Sequence, residues 1–280
     1  MSKKKISYQG EPGANSHIAC NQEYPDYEPM PCATFEDALN AISSGRAELG
    51  MIPIENSVAG RVADIHHLMP TSGLHIIGET FLPIRHQLMA PKGASLKTIT
   101  SVESHVHALG QCRKVIRKLG FKPIVAADTA GSAREVAERG DITRAAIASE
   151  LAAKIYGLKI LQRDIEDEKH NTTRFVVLSR NAAWPKRGKA DMVTTFVFQV
   201  RNIPAALYKA MGGFATNSVN MTKLESYMIE GNFFATQFYA DVEGHPDDRN
   251  LKLALEELKF FSEQLIILGV YEAHAFRKKK

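Results

Sequence analysis

Cysteine is scarce: the 280 residues hold three, Cys20, Cys32 and Cys112. An odd count without a Cys-x-x-Cys pair excludes a disulfide framework and a zinc ribbon. No apolar run approaches the ~20 residues that span a bilayer. No apolar segment follows the basic N-terminus, so no secretory signal is read and no membrane partner is expected. A cytoplasmic location with reduced thiols is expected. An excess of one charge is also missing from the body of the chain. The formal charge is +4, but Lys3, Lys4 and Lys5 lie at one end and Arg277, Lys278, Lys279 and Lys280 at the other. Without those seven, 28 basic residues face 31 acidic ones. Two short basic tails read as solvated ends, and no nucleic-acid partner is expected.

Several chemistries lack their signatures as well. Gly10-Glu11-Pro12-Gly13 is neither a dinucleotide fingerprint nor a Walker loop. No Gly-x-Ser-x-Gly elbow occurs. Of the ten histidines, the pairs His66-His67 and His105-x-His107 come nearest to a metal set, yet no third ligand stands beside them. No metal is expected.

What is present is an ordinary globular balance, 44% hydrophobic and 24% charged, at a length that holds one large domain or two moderate ones. Residues 180–189 carry Pro, Gly and four cations without an apolar period, and a boundary is placed there. Before it, strands and helices alternate. Strands are expected at 6–9, 49–54, 74–82, 145–148 and 175–178. Helices are expected from about Asn15, over 35–44 behind Thr34, from Ser57 to about Met69, over 105–119 behind Ser104, over 130–139 behind Thr129, and from Ser149 to Gly157. Cap residues before the apolar period and glycine after it are the start and stop signals. Such alternation implies an α/β domain with largely parallel sheets. After the boundary the order is a strand at 194–200, a helix at 203–214, paired strands at 219–227 and 233–242 about a Glu230-Gly231-Asn232 turn, a helix at 251–265 and a strand at 266–271. That is βαββαβ, the ferredoxin-like arrangement, with sheet edges that a second copy can cover.

In parallel α/β sheets, ligands sit at the carboxyl ends of strands, where helix N-termini favour anions. The junctions Gln9-Gly10, Glu55-Asn56-Ser57, Ser101 with Ser104, Thr129, Ser149 and Asn171-Thr172-Thr173-Arg174 are rich in hydroxyls and amides. They suit a small carboxylate ligand.

Five blocks then carry a resemblance: Tyr8–Ala14 (YQGEPGA), Ile52–Val62 (IPIENSVAGRV), Ser104–Cys112 (SHVHALGQC), Ala127–Ala130 (ADTA) and Asn171–Phe175 (NTTRF). In this order they resemble prephenate dehydratase, and residues 192–275 resemble an ACT regulatory domain. The resemblance implies a catalytic domain over 1–180, two α/β lobes like a type II periplasmic binding protein with the site in the cleft, and an ACT domain over 192–280. It implies decarboxylating dehydration of prephenate to phenylpyruvate, without a cofactor, and feedback by phenylalanine on a homodimer or homotetramer joined through ACT domains. Only five residues precede the first strand, so no fused chorismate mutase domain is expected. The family's essential threonine falls on Thr173, the donor to the departing hydroxyl. Glu55, Asn56, Ser57, Ser104, Gln111, Thr172 and Arg174 are the implied substrate or orienting contacts. Arg174 can instead form a structural ion pair, and Glu55 beside a dianion has an indirect role. Asn202, Pro204, Ala205, Ala206, Leu207, Leu224, Glu225 and Ser226 are the implied effector contacts. There the family's glycine is replaced within Pro204-Ala205-Ala206-Leu207, and its Arg-Pro is replaced by Tyr227-Met228. An arogenate dehydratase and a non-catalytic amino-acid sensor are the competing expectations.

Overall fold

The computed structural model describes residues 3–188, 190–228 and 235–278. The chain begins β1 (Lys5–Gln9), α1 (Asn15–Glu23), β2 (Glu28–Cys32), α2 (Phe35–Ser43), β3 (Leu49–Asn56) and a two-residue β4 (Gly60–Arg61). Next come α3 (Ala63–Leu68) and β5 (His75–Pro83). β6 (Gln87–Ala90), β7 (Ser101–His105), α4 (Val106–Gln111), α5 (Arg113–Leu119), β8 (Lys122–Ala126) and α6 (Thr129–Arg139) follow. The series continues through β9 (Arg144–Ala148), α7 (Glu150–Tyr156), β10 (Lys159–Gln162) and β11 (Thr172–Ser179). The C-terminal stretch is β12 (Met192–Val200), α8 (Ala206–Thr216), β13 (Met221–Met228), β14 (Ala235–Glu243), α9 (Arg249–Phe261) and β15 (Ser262–Glu272). Two compact units result, one of Met1–Val62 with Thr80–Phe175, the other of Ala63–Glu79 with Val176–Lys280.

The first unit holds two α/β lobes, the arrangement of type II periplasmic binding proteins. In one lobe the strand order is β11-β3-β1-β2, with β4 on β3, and β1 runs parallel to both neighbours. In the other the order is β10-β6-β9-β7-β8; β7 is parallel to β8 and β9, while β6 is antiparallel to β9 and β10. Leu88, Val102, Ile116 and Ile147 fill one side of this second sheet, and Met89, Ala133, Val136 and Ala152 the other. Gly13 brings the lobes together. Its φ is +94°, and an added Cβ would lie 2.7 Å from the Ala152 backbone, so no larger residue fits. Ser149 Oγ donates to the Gly13 carbonyl at 2.5 Å, and Tyr156 donates to Pro12 O at 2.9 Å.

Six strands lie outside the expected set: β2, β4, β6, β7, β8 and β10. Three are at sheet edges, where one face of pairing suffices and the apolar alternation is weak; β2 even carries Pro29 and Pro31, which an edge tolerates. Two caps move by one residue: Asp128, not Thr129, accepts from Gly131 N, and His105, not Ser104, caps α4. The expected helix at 105–119 is two helices, broken at Cys112, whose φ of −120° and ψ of +20° leave the helical region. All three thiols are buried and unpaired, and burial pushes that of Cys20 up to about 12.

In the second unit β12-α8-β13-β14-α9-β15 forms the βαββαβ arrangement, with sheet order β13-β14-β12-β15. Phe196, Phe198, Phe238 and Val242 face Ala210 and Phe214 of α8 and Leu251, Ala254 and Leu258 of α9. The expected turn at Glu230-Gly231-Asn232 lies outside the described residues. α9 ends at Phe261 rather than 265, because Ser262 is already extended and Leu265 pairs with Phe198 in β15. α8 begins at Ala206, three residues later than expected, because Ala205 has φ +62° and cannot lie in the helix. A Cβ in this left-handed region costs about 1–2 kcal/mol. Glycine there forfeits about 0.4–1 kcal/mol of that gain through unfolded-state entropy. Ala205→Gly is therefore expected to raise stability by about 0.5–1 kcal/mol on these opposing terms. A urea midpoint that is unchanged or lower would rule this out.

The sheet face away from the helices is polar, yet Thr195, Tyr239, Asp241 and Tyr271 on it are fully buried. The His66 ring packs edge-on 5.0 Å from Tyr239, and His67 packs 5.4 Å from Tyr227. A short turn of 3-10 helix, Ala275–Lys278, also closes over it. Arg277, expected to be a solvated tail residue, has only 18% of its side chain exposed. Its Nε and Nη2 donate to the two oxygens of Glu79 at 2.6 and 2.9 Å, and Nη2 lies 3.6 Å from Asp241.

Candidate active site

The site is built where β3 ends and β11 begins. Asn56 closes β3, and its Oδ1 accepts from Val58 N at 2.9 Å and Ala59 N at 2.8 Å. This side-chain turn sends the chain back into β4, where Glu55 pairs with Arg61. The helix expected from Ser57 therefore starts only at Ala63. Residues 171–174, expected at a strand-to-helix junction, enter β11 instead. Ser57 fastens the two segments: its N–H donates to Thr172 O, its Oγ accepts from Thr172 N, and that Oγ donates to His170 O. Thr172 Oγ1 also donates to His170 O, at 3.2 Å.

From Asn56 a chain of amides runs into the second lobe. Its Nδ2 donates to Asn171 Oδ1 at 2.7 Å and to Thr173 Oγ1 at 2.9 Å. Asn171, 1% exposed, passes its Nδ2 to Gln111 Oε1 at 2.8 Å, at the end of α4. His86 Nε2 lies 2.9 Å from the same Gln111 oxygen. All four hydrogen-bonding positions of the Asn56 amide are thus occupied by the protein, so Asn56 orients its neighbours.

Two groups of this network keep a donor that it does not use. Thr173 is half-buried, and its oxygen already accepts from Asn56, so its own proton is available to a ligand. A hydroxyl that accepts one hydrogen bond becomes a stronger donor of the next. Gln111 has its oxygen occupied twice, so its N–H groups are the ones left to donate. Each is a donor suited to an oxygen atom that gains negative charge.

The remaining expected contacts fall elsewhere. Ser104 is a strand residue, fully buried, and its hydroxyl donates to Ile147 O at 2.6 Å. Arg174, 3% exposed, donates to Glu55 at 2.9 Å, so the structural ion pair is formed and the Glu55 carboxylate has its counter-charge. Around Gln9 and Gly10, at the ends of β1 and β2, a separate cavity of about 340 Å³ opens, with Asp128 on its wall. Asn171 was legible only as part of a motif, and His86 carried no signal at all, since a lone buried histidine has no spacing to mark it.

In the second unit, Asn202, Pro204, Ala205, Leu224 and Ser226 are exposed, Leu207 and Glu225 half-buried, and Ala206 buried. Alternation along β13 puts Glu225 and Ser226 on opposite faces, and Glu225 is paired with Lys223 at 3.3 Å. Among the described residues, no three His, Cys, Asp or Glu side chains gather as a metal site. No described helix is long and apolar enough to cross a membrane.

A two-lobed α/β fold with hydroxyl and amide donors left by the Asn56 network defines a binding-protein-like catalytic unit. The chain belongs to the prephenate dehydratase family, whose model, described as prephenate dehydratase, matches residues 6–183. Members of that family are lyases, and this chain is an enzyme of that class. It is 51% identical over 274 residues, 98% of each chain, to a Komagataeibacter europaeus protein described as a bifunctional N-acyl-homoserine lactone acylase/prephenate dehydratase. It is 36% identical, over 96% of this chain and 73% of the other, to arogenate dehydratase/prephenate dehydratase 2 of Arabidopsis thaliana. A crystal structure of prephenate dehydratase from Arthrobacter aurescens in complex with L-Phe matches with a TM-score of 0.87 and 32% identity, over 96% and 90% of the two chains.

Proposed function

We propose that this chain converts prephenate to phenylpyruvate, with Thr173 as the catalytic hydrogen-bond donor. One proton enters from solvent, and the dianion yields phenylpyruvate, carbon dioxide and water. The ring carbon–carboxylate bond breaks, its electron pair enters the ring, and the ring carbon–oxygen bond opposite breaks. The Thr173 proton meets the oxygen as it leaves with negative charge, and the solvent proton completes water. The Gln111 N–H groups hold a carboxylate or keto oxygen. The observation that carries this reading is the donation from Asn56 to Thr173, which commits the threonine oxygen and frees its proton.

The same reading makes residues 1–180 the catalytic domain and 192–280 an ACT domain that binds phenylalanine and joins two or four copies in the cytoplasm. A relative crystallised with L-Phe supports the phenylalanine binding. The strained Ala205 and the Tyr227-Met228 replacement are expected to weaken, rather than abolish, the response. Arogenate is the rival substrate, since the Arabidopsis relative is described for both. Amide cleavage of an N-acyl-homoserine lactone is a second activity, favoured by the 51% identical relative.

The test is product formation by the purified protein from prephenate, arogenate and an N-acyl-homoserine lactone, each with and without phenylalanine. Phenylpyruvate from prephenate, reduced by phenylalanine, is expected. Turnover of arogenate alone would change the substrate. Binding of phenylalanine with no turnover of either would favour a sensor.

A further inference from the structure

We infer that His86 is a positioning residue for the substrate: its neutral, Nε2-protonated ring locks the Gln111 amide with both N–H groups turned to the ligand. The inference rests on the dehydratase reading for its kinetic consequence, but not for its structural one.

Hydrogen-bond polarity identifies each atom along the network. Backbone N–H groups can only donate. Val58 N and Ala59 N both point at one atom of Asn56, so that atom is the carbonyl oxygen, and the other is the amide nitrogen. This nitrogen can only donate, so the Asn171 atom it meets is Oδ1. Asn171 Nδ2 in turn can only donate, so the Gln111 atom at 2.8 Å is Oε1. His86 Nε2, 2.9 Å from that oxygen, must then carry the hydrogen. Two backbone amides thereby set the tautomer of a histidine four links away.

The ring is well placed for this task. His86 is 4% exposed, and its backbone is pinned on both sides: its N–H donates to Glu166 Oε2 at 2.9 Å, and its carbonyl accepts from Ile165 N at 2.9 Å. Burial holds its pKa below the ordinary histidine value, against smaller opposite effects of Gln111 and Glu166. Gln111 is fixed at its backbone too, where its carbonyl accepts from Asp167 N at 2.6 Å. Without the His86 donor only Asn171 holds the Gln111 oxygen, and the amide keeps one of the two bonds that turn its N–H groups toward the ligand.

The structural half is read by long-range proton–nitrogen NMR of the histidine side chains at pH 7, with His86→Gln to assign the signal. A neutral ring with hydrogen on Nε2 is expected. Hydrogen on Nδ1, or a doubly protonated ring, would overturn the inference whether or not the protein turns over prephenate. The kinetic half compares His86→Leu, His86→Gln, Gln111→Leu and the double Leu variant. His86→Leu is expected to raise KM for prephenate roughly tenfold or more, the scale of losing a hydrogen bond to a charged group. Glutamine, which restores a donor near the same position, should return KM to within about threefold of wild type, on the same scale. The double variant should be no worse than Gln111→Leu alone, since both changes remove one interaction. Additive losses, or His86→Leu with wild-type KM while wild type is active, would show that His86 does not act through Gln111. A wild type inactive on prephenate would refute the substrate and leave the NMR result to decide the positioning.

Discussion

Thr173→Ala is expected to lose about 10²–10⁴ in kcat, the range for removing a positioned proton or hydrogen-bond donor, while the fold persists. In the proposed reaction hydroxide leaves a ring carbon, and negative charge grows on that oxygen. A donor aimed there stabilises the transition state more than the ground state, so kcat should fall and KM change little. The structural cost is small by comparison. Alanine leaves Asn56 Nδ2 with one partner, Asn171, instead of two. One unmade hydrogen bond in a half-buried place costs about 1 kcal/mol. Thr173→Ser keeps the hydroxyl and should retain most activity; Thr173→Val keeps the shape and should behave like alanine. Steady-state kinetics on the three proteins, with melting curves, separate the roles. Near-normal turnover of the alanine or valine variant would remove Thr173 from the reaction.

Arg277→Ala is expected to cost about 3–5 kcal/mol of stability, the scale for removing one member of a buried ion pair. Glu79 and Asp241 have fully buried side chains, and Arg277 stands between them. Thr195 donates to Asp241 at 2.6 Å, but a hydroxyl supplies no charge. Lysine at 277 restores a charge without the planar fork, so it should recover only part of the loss. Pairing Arg277→Met with Glu79→Gln should cost less than the alanine change alone, because one of the two buried carboxylates is then neutral. Urea denaturation measures all of these. A loss below about 1 kcal/mol, the value typical of exposed pairs, would mean that water reaches the carboxylates once the arginine is gone.

The pairing of Arg277 leaves no trace in its neighbours along the chain. Charge at the end of a sequence looks solvated, because nothing in the neighbouring residues names a partner; Glu79 is 198 positions away. The same holds for His86 and Gln111, 25 apart, and for Asn56 and Thr173, 117 apart. Motifs pointed to Asn56, Gln111 and Thr173 as a group, but not to their division of labour. Only the directions of the hydrogen bonds separate Asn56, which is spent on orienting, from Thr173 and Gln111, which keep donors to offer.

Local signals in the sequence determined the elements that depend on local physics. Thr34 and Ser149 cap the helices they were expected to cap, helices stop at Gly120, Gly140 and Gly157, and the βαββαβ order after residue 190 follows from the switch of apolar period. Tertiary structure alone decided the edge strands, the turn that replaces the helix expected at Ser57, the ion pair of Glu55 with Arg174 and the amide network from Val58 to His86. The physical reason is common to all of them. Capping and periodicity act between residues within a few positions of one another. Edge pairing, charge neutralisation and hydrogen-bond polarity act between groups that only the folded chain brings within 3 Å or so.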